Sequence, residues 1–480
     1  MLLRDVRLGA EGPRVDVRVR DGVVDAVGPG LADDGTGRPG EEDLGGGVLL
    51  PGLRDEHVHL TQWAVSRRRV DLSATTSPQE AARTLAGAGP GTELLVGQGF
   101  RDALWSEPAH RAVLDEQFGD RPVVAVSQDL HCAWVNSAAA RQFGVTEPTG
   151  VVREDEAMRL LTEAGTLDPG TADRWSLEAL DEAAARGVTA VTDFELAPPT
   201  DWVRRARLRA PATRVAVGVW PDFVAATVAA GLRTGSALDP AGLVRVGPVK
   251  LFADGSLGTR TAFCSHPYPD GGHGVRRLEA EELAGWLRRT GAVGLSVAVH
   301  AIGDAAVRLA LDGFAAAGTG GRIEHAQQVR VEDVPRFAAL GVVASVQPRH
   351  CPDDRDAAER HWAGATGRAF CFAELLAAGA ELRFGSDAPV AALDPWDAIA
   401  AAVHRSIDAR PPWHPEHHLD LDDALAAASG GRRQVRVGDP ADLVLLPEHP
   451  RTVLDREGAE GLRRMPVTAT ITAGRVVSRR

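Results

Sequence analysis

The stretch LRDEHVHL places histidines at positions 57 and 59, and Asp55 precedes them at the same two-residue spacing. Because successive side chains of a β-strand point to opposite faces, Asp55, His57 and His59 are expected to project from one face. Imidazole and carboxylate groups are common ligands of divalent transition metals, and of zinc in particular. The two histidines are therefore a candidate metal site that needs further ligands from elsewhere in the chain.

Other residues with suitable chemistry stand at or near the ends of apolar, β-branched runs. Lys250 lies in GPVKLFAD, and His300 ends LSVAVH. Farther along, His325 ends RIEH and Asp387 ends RFGSD. If these runs are parallel strands of one closed barrel, their carboxyl ends meet at the rim where such barrels carry their active sites. We therefore predict a metal centre at this rim with the following ligands: His57, His59, Lys250, His300, His325 and Asp387.

Lys250 is the only lysine among 480 residues, and the other 52 of the 53 basic residues are arginines. A neutral amine reacts with CO₂ to give a carbamate that can bridge two metal ions, whereas the guanidinium of arginine stays protonated. Burial is expected to lower the pKa of this lysine and so favour the reactive neutral form. The sequence predicts N-carboxylated Lys250 between two divalent ions, with a salt-bridged lysine as the alternative.

The runs that carry these residues alternate with alanine-rich helical segments, which predicts an α/β fold. Eight buried strands separated by helices are what a closed (β/α)₈ TIM-type barrel requires. The predicted strands are Leu53–His59 and residues 187–195, 213–220, 247–254, 294–304, 321–327, 341–350 and 380–390.

The domain organisation follows from the lengths of the connections. Residues 1–50 and 431–480 alternate apolar and polar positions and contain turn signals, so both termini are expected to build one small β-sandwich domain. Residues 51–430 would form the barrel. The connection after the first strand is far longer than an ordinary crossover, so residues 62–186 are predicted to be an inserted lid or substrate subdomain.

These motifs resemble those of the amidohydrolase superfamily, specifically the family 3 group that includes N-substituted formamide deformylases. The resemblance covers nearly the whole chain and rests on the following stretches: PGLRDEHVHL, SQDLHCAWVNSAA, VKLFADGSLGTRTA, HAIGDAAV, RIEHAQ, SVQPRH and GSDAPV. It implies that His57 and His59 bind the more buried metal and that His300 and His325 bind the outer one. Lys250 would bridge the two as a carbamate, and Asp387 would bind metal and move the proton.

The resemblance and the ligand set together predict a hydrolase that acts on carbon–nitrogen bonds other than peptide bonds. A hydroxide that bridges two metal ions, most simply zinc, would attack an amide, formamide or cyclic amide of a small molecule. Asp387 would act first as general base and then as general acid. Three alternatives stay open: an ester or lactone hydrolase on the same site, a Schiff-base aldolase or lyase that uses Lys250, and a non-catalytic metal sensor.

Residues of the insertion and the rim are expected to determine the substrate. His131 and His350 are predicted to line the mouth and to hydrogen-bond the substrate or the oxyanion. In the resembling family glycine usually occupies the position of Leu130, which predicts an altered loop or a narrowed path. The orientation of Glu154 is left undecided. Three tryptophans of the insertion are either core residues or a pocket wall: Trp63, Trp105 and Trp134.

The bulk composition narrows the partners. A net charge of −13 argues against nucleic acid and anionic membranes, since both favour basic surfaces. The N-terminal stretch lacks the apolar segment of a signal peptide, and the four cysteines form no CxxC pair, so a cytoplasmic location is expected. The predicted partner is a small-molecule substrate. The oligomeric state is left open, with a homodimer as the candidate.

Overall fold

The computed structural model describes residues 1–10, 12–31, 46–164 and 167–480. Residues 32–45 of the predicted terminal domain and residues 165–166 of the predicted insertion lie outside the described residues. The strands are β1 (Leu2–Arg7), β2 (Arg14–Arg20), β3 (Val23–Gly28), β4 (Val48–Pro51), β5 (Leu53–Val58), β6 (Val70–Asp71), β7 (Leu95–Phe100), β8 (Val123–Ser127), β9 (Cys132–Val135), β10 (Val151–Arg153), β11 (Val188–Asp193), β12 (Arg214–Val219), β13 (Val244–Phe252), β14 (Val297–Ala301), β15 (Gly321–His325), β16 (Val342–Val346), β17 (Leu382–Phe384), β18 (Leu443–Leu446), β19 (Ala469–Thr472) and β20 (Arg475–Arg479).

The helices follow the same chain order. They are α1 (Leu60–Ser66), α2 (Pro78–Ala86), α3 (Arg111–Phe118), α4 (Ser137–Phe143), α5 (Glu154–Ala164), α6 (Pro169–Ala185), α7 (Thr200–Leu208), α8 (Pro221–Ala229), α9 (Ala280–Ala292), α10 (Asp304–Ala317), α11 (Val334–Leu340), α12 (His350–Asp353), α13 (Arg355–His361), α14 (Phe372–Ala377), α15 (Pro395–His404), α16 (Leu421–Ala428) and α17 (Pro450–Arg463). Short 3₁₀ turns cover Asp102–Leu104, Thr366–Arg368 and Pro415–His417.

Eight parallel strands form the barrel, in the order β5-β11-β12-β13-β14-β15-β16-β17. The ring closes where the segment after β17 meets β5: the Asp387 N–H donates to the His57 carbonyl at 2.7 Å, and Val58 and Ala388 form a parallel bridge. Each observed strand falls within or overlaps a predicted one. The predicted (β/α)₈ barrel is therefore confirmed.

The barrel wall is stabilised by apolar side chains that pack against the surrounding helices. Val297 and Val299 of β14 and Ile323 of β15 belong to one large buried cluster that also contains Val307 and Phe314 of α10. Burying side chains of this size contributes about 1.5–3 kcal/mol each. This packing holds the strand ends, and the polar residues on them, in fixed positions.

Strands from both termini form one continuous sheet in the order β20-β19-β18-β4-β1-β2-β3. Leu3, Val17 and Leu49 from the beginning of the chain pack with Leu443 and Ile471 from its end. The flanking β-domain of the predicted fold class is thus confirmed. Its exact limits stay a prediction, because β4 continues to Pro51.

The segment between β5 and β11 contains its own five-stranded sheet, in the order β10-β9-β8-β7-β6. Trp105 and Trp134 pack on Phe100 in the core of this sheet. The Arg101 guanidinium donates to the Asp353 carbonyl at 2.9 Å, which places one end of β7 over the barrel mouth.

None of the helices in the described residues combines the length and the apolar composition that a membrane crossing requires.

Candidate metal centre

His57 and His59 enter the site from β5 and from the residue that follows it. The Nε2 atoms of both rings lie 3.4 Å from the same oxygen, Oδ1 of Asp387. Two ligands of a tetrahedral zinc ion, each about 2.0–2.1 Å from the metal, are separated by roughly 3.4 Å. Both nitrogen–oxygen distances therefore match the spacing of ligands in one coordination sphere.

A β-bulge in β5 changes which side chains face the barrel interior. Asp55 pairs with Val191 and Val58 with Asp193, so β5 has one residue more than β11 over this stretch. The prediction that Asp55 shares a face with the two histidines is wrong at this bulge. Asp55 instead accepts hydrogen bonds from the backbone N–H groups of His57 and Ser386, at 3.2 and 2.9 Å.

Glu324 holds the His57 ring from its other side. Its Oε2 lies 2.7 Å from Nδ1 of His57, which leaves Nε2 directed at the site. Burial opposes the charged form of Glu324, but Arg322 and His57 lower its pKa below the usual value. A buried carboxylate on the outer nitrogen of a histidine is typical of metal-binding imidazoles, because it fixes their tautomer and orientation.

Lys250 lies inside the barrel on β13 and is 1% exposed. Its Nζ is 3.0 Å from Nε2 of His57 and 4.4 Å from the centre of the Phe194 ring. Within the described part of the chain, no carboxylate is at ion-pair distance from this amine. Burial lowers the pKa of Lys250 to about 8, so a reactive neutral amine is accessible near neutral pH.

His300 and His325 follow on the next two strands of the barrel. Their ring centres are 4.5 Å apart, and the His325 ring is 4.9 Å from that of His57. Burial lowers the pKa of both His300 and His325 well below the usual value. Neutral imidazoles with available lone pairs are the form that binds metals.

His350 approaches the same carboxylate from the segment after β16. Nitrogen atoms of His325 and His350 and an oxygen of Asp387 lie within 4.8 Å of one another, as do ligand atoms of His57, His59 and Asp387. The structure thus contains two candidate metal-binding groups that share Asp387. Lys250 lies beside the first group, through its contact with His57.

The ligand set fits a divalent metal on the evidence of its unsatisfied atoms. Nδ1 of His325 and Nε2 of His350 are buried without a hydrogen-bond partner among the described residues. A buried polar atom without a partner destabilises the fold by about 1–3 kcal/mol, and a coordinated ion would remove this cost for the ring concerned.

Asp387 is ionised in this site. Burial disfavours the charge of Asp387, but the neighbouring His57 and His59 lower its pKa well below the usual value.

His131 reaches the site from the insertion and lies 6.2 Å from His300, measured between ring centres. Its Nδ1 is 3.0 Å from Oε2 of Glu154, whose other oxygen accepts from Thr259 and Thr261 at 2.6 and 2.5 Å. Burial opposes protonation of His131, but Glu154 raises its pKa overall. Glu154, left undecided by the sequence, therefore positions His131 and connects the insertion to the barrel.

Two cavities meet at the candidate metal centre. One is lined by Arg101, Asp129, Gln327, His350 and Asp354, among others. The other contains His57, His59 and Lys250 and is otherwise lined largely by apolar side chains: Leu130, Met158, Leu161, Leu196, Trp220 and Phe252. His131, His300, His325 and Asp387 line both cavities.

All eight site residues predicted from sequence lie around these two cavities: His57, His59, His131, Lys250, His300, His325, His350 and Asp387. The three tryptophans of the insertion do not line these cavities. Trp105 and Trp134 are core residues of the insertion, and Trp63 packs beside Leu60 and Leu177. Sequence reasoning missed Glu324, Trp220 and Asp354. Glu324 could have been suspected from its place directly before His325 in RIEH.

A sequence model described as the amidohydrolase family matches residues 40–478 of this chain. The protein LONG AFTER FAR-RED 3 of Arabidopsis thaliana is 31% identical over 452 residues, which covers 83% of this chain and 75% of that protein. An N-substituted formamide deformylase of Arthrobacter pascens is 25% identical over 491 residues and 90% of each chain.

Solved structures of metal-dependent hydrolases have the same fold as this chain. An uncharacterized metal-dependent hydrolase from Pyrococcus horikoshii superposes with a TM-score of 0.78 at 27% identity, over 95% of this chain and 99% of that one. A metal-dependent hydrolase from Pyrococcus furiosus gives a TM-score of 0.75 at 26% identity, over 94% and 99%. The chain belongs to the amidohydrolase family.

Proposed function

We propose that this hydrolase cleaves a carbon–nitrogen bond of a small molecule, in an amide, a formamide or a cyclic amide. His57, His59 and Asp387 would hold one divalent ion, and His300 and His325 a second. Lys250, carboxylated by CO₂, would lie between them. Zinc suits this combination of imidazole and carboxylate ligands.

The single observation that carries the proposal is the environment of Lys250. The amine is buried, lies 3.0 Å from a nitrogen of a candidate metal ligand and has no carboxylate at ion-pair distance among the described residues. A protonated lysine in this place would lie among several imidazoles with no carboxylate paired to it directly, since Glu324 and Asp387 act on it only from beyond His57. A carbamate would instead supply an anionic ligand beside the histidines. The absence of any other lysine agrees with a requirement for this particular amine.

The side chains around the centre suit hydrolysis. Bound divalent ions would lower the pKa of water and polarise the substrate carbonyl. Asp387, already within reach of His57 and His59, would accept the proton of the attacking water and return it to the leaving nitrogen. The protonated form of His131, which Glu154 favours, would donate from Nδ1 to Glu154 and from Nε2 to the substrate oxygen.

The relatives favour nitrogen over oxygen as the leaving atom. The formamide deformylase is similar over nearly the full length of both chains, and N-formyl amines are therefore the first substrates to test. Ester and lactone hydrolysis would use the same groups and is the second candidate. A cytoplasmic location and assembly as a homodimer remain predictions.

Reconstitution of the metal-free enzyme tests the proposal. The protein would be stripped with a chelator in CO₂-free buffer and returned to zinc with and without bicarbonate, then assayed on N-formyl and N-acetyl amines. We expect amide hydrolysis only when both metal and bicarbonate are present. Carbon-13 bicarbonate should then give a carbamate resonance that Lys250→Arg lacks.

The variants of Lys250 provide the contrast. Lys250→Ala leaves space in which a short carboxylate such as propionate can replace the carbamate, so added propionate should restore part of the activity. Lys250→Arg fills that space and should not be restored. Full activity of Lys250→Arg would disprove the carbamate. Trapping of substrate on Lys250 by borohydride would instead establish the Schiff-base alternative.

A further inference from the structure

The cavity beside the candidate metal centre contains a carboxylate, Asp354, that forms no ion pair with a described residue. Asp354 lines this cavity together with Gln327 and His350. Among the described residues, no basic side chain lies at ion-pair distance from Asp354, whose one side-chain contact is the Gln327 amide nitrogen at 3.2 Å. The cavity therefore presents a carboxylate without a direct ionic partner to a molecule that enters it, although Arg101 and His350 act on it from a longer distance.

Asp354 does not cap the helix that it precedes. It directly precedes helix α13, where an aspartate commonly accepts a hydrogen bond from the first N–H groups of the helix. Its side chain makes no such bond. Burial raises the pKa of Asp354 to about 6, so the fold maintains an unfavourable site for a carboxylate there.

The neighbouring Asp353 shows what a structural carboxylate looks like in this segment. Its carboxylate is bound by Arg349 at 3.0 Å and approached by Arg101 at 3.5 Å. Arg101 also donates to the Asp353 backbone carbonyl at 2.9 Å. Arg101, which lines the cavity, thus makes its direct contacts with Asp353, and the carboxylate of Asp354 stays available for a ligand.

Gln327 contributes a second acceptor to the same wall. Its side chain is 3% exposed, and its amide oxygen is buried without a hydrogen-bond partner among the described residues. Because the amide nitrogen donates to Asp354, the oxygen is free to accept from a ligand. Two acceptors, one of them charged, point to a ligand group that is cationic and carries several N–H donors.

We propose that Asp354 and Gln327 form a subsite for a protonated amino group of the substrate. The substrate would be an amide with an ammonium group on one side of the scissile bond and an apolar group on the other, since the second cavity is lined by Leu161, Trp220 and Phe252. This inference rests on the proposed hydrolysis of a C–N bond. It names the substrate class that this reaction would serve.

Three matched amides test the subsite on the metal-loaded enzyme. N-acyl putrescine carries the ammonium group, N-acyl pentylamine replaces it with a methyl group, and N-acyl γ-aminobutyrate carries a carboxylate. We expect kcat/KM to be at least about 10-fold higher for the ammonium compound than for the neutral one. Asp354→Asn should remove most of this preference, and the carboxylate compound should be the slowest.

The control variant is Asp120→Asn, since Asp120 is a fully exposed carboxylate of the same protein; it should keep the wild-type preference. Calorimetry with putrescine provides a measurement that needs no turnover, and binding should weaken at least about 10-fold in Asp354→Asn.

Equal putrescine affinity in wild type and Asp354→Asn would overturn the subsite. So would equal turnover of the ammonium and neutral amides. Absence of hydrolysis for all three amides would overturn the proposed function instead, whereas a loss of putrescine binding in Asp354→Asn would still support the subsite.

Discussion

Glu324, inside the barrel, orients the predicted metal ligand His57. It fixes the His57 ring at 2.7 Å, and removing such an outer carboxylate typically lowers metal affinity about 10–100-fold. We therefore expect Glu324→Gln to release zinc more readily to a competing chelator, with a loss in that range. Glu359→Gln, at an exposed position on α13, is the matched control. Unchanged affinity would show that the contact does not position His57.

Glu154 has the corresponding role for His131. Glu154→Gln removes the negative charge that raises the pKa of His131. An imidazolium that donates to the substrate exists only below its pKa, so a lower pKa moves the alkaline limb of the kcat/KM profile to lower pH. Asp155→Asn serves as control, because Asp155 is exposed and also pairs with Arg277. An unmoved limb in Glu154→Gln would remove His131 from this role.

The predicted ligands could be read from the sequence because each stands near the end of a strand that is itself recognisable. Glu324 had only the weak signal of its place directly before His325, and Asp354 had none. The bulge in β5 directs both Glu56 and His57 toward β15, where they contact Arg322 and Glu324, and strict alternation does not anticipate this. Asp354 resembles an ordinary helix cap in sequence, and only its missing cap bond distinguishes it.

At the scale of elements, the segment after β17 is fitted tightly against β5. A Cβ on Gly385 would lie 2.7 Å from both the backbone nitrogen and the Cβ of His57. We expect Gly385→Ala to displace His57 and to reduce the metal content measured after dialysis, while the far-ultraviolet spectrum stays native. Gly367→Ala is the matched control, because nothing lies within 4 Å of its added Cβ. Full metal occupancy in Gly385→Ala would contradict this account.

The interior of the barrel is held by a charged network in addition to apolar packing. Glu56 is bound by Arg54 at 2.7 Å and by Arg322 at 3.1 Å. Although burial opposes its charge, these arginines lower the pKa of Glu56 from 4.5 to about 2. A carboxylate whose pKa is lower in the folded state stabilises the fold above its unfolded pKa, and this contribution is lost as the pH falls from about 4.5 to 2.

Glu56→Gln should therefore destabilise the metal-free protein by roughly 3 kcal/mol at pH 7. The difference from wild type should shrink at pH 3. At that pH Glu56 of the unfolded chain binds a proton, whereas Glu56 of the folded protein largely does not, and this proton uptake favours unfolding of the wild type. Urea unfolding at both pH values measures it. A difference that is the same at pH 3 and pH 7 would show that the ionised form of Glu56 does not stabilise the barrel.

At the scale of the whole molecule, the sequence predicted the order of the parts better than their contacts. The eight barrel strands and the pairing of the two termini follow from local patterns, since each strand is a continuous apolar or alternating run. The contacts between parts involve residues far apart in sequence. Arg186 at the end of the insertion, for example, binds the carbonyls of Arg463 and Met465 near the C-terminus, and no local pattern indicates such a pairing.

The four cysteines can be used to follow the unfolding of the insertion and of the barrel separately. All are free and buried, and burial raises the pKa of Cys264 and Cys351 to about 12 and that of Cys371 to about 11. A thiol reagent at neutral pH should therefore label none of them in the native protein and all four after denaturation, because the thiolate is the reactive form.

Cys132 lies in the separate core of the insertion, whereas the other three cysteines belong to the large barrel cluster. Smaller cooperative units open at lower free energy than the main core. Pulsed labelling in mild urea, followed by mass spectrometry, should consequently modify Cys132 before Cys351 and Cys371. Simultaneous labelling of all four would mean that the insertion and the barrel unfold as one cooperative unit.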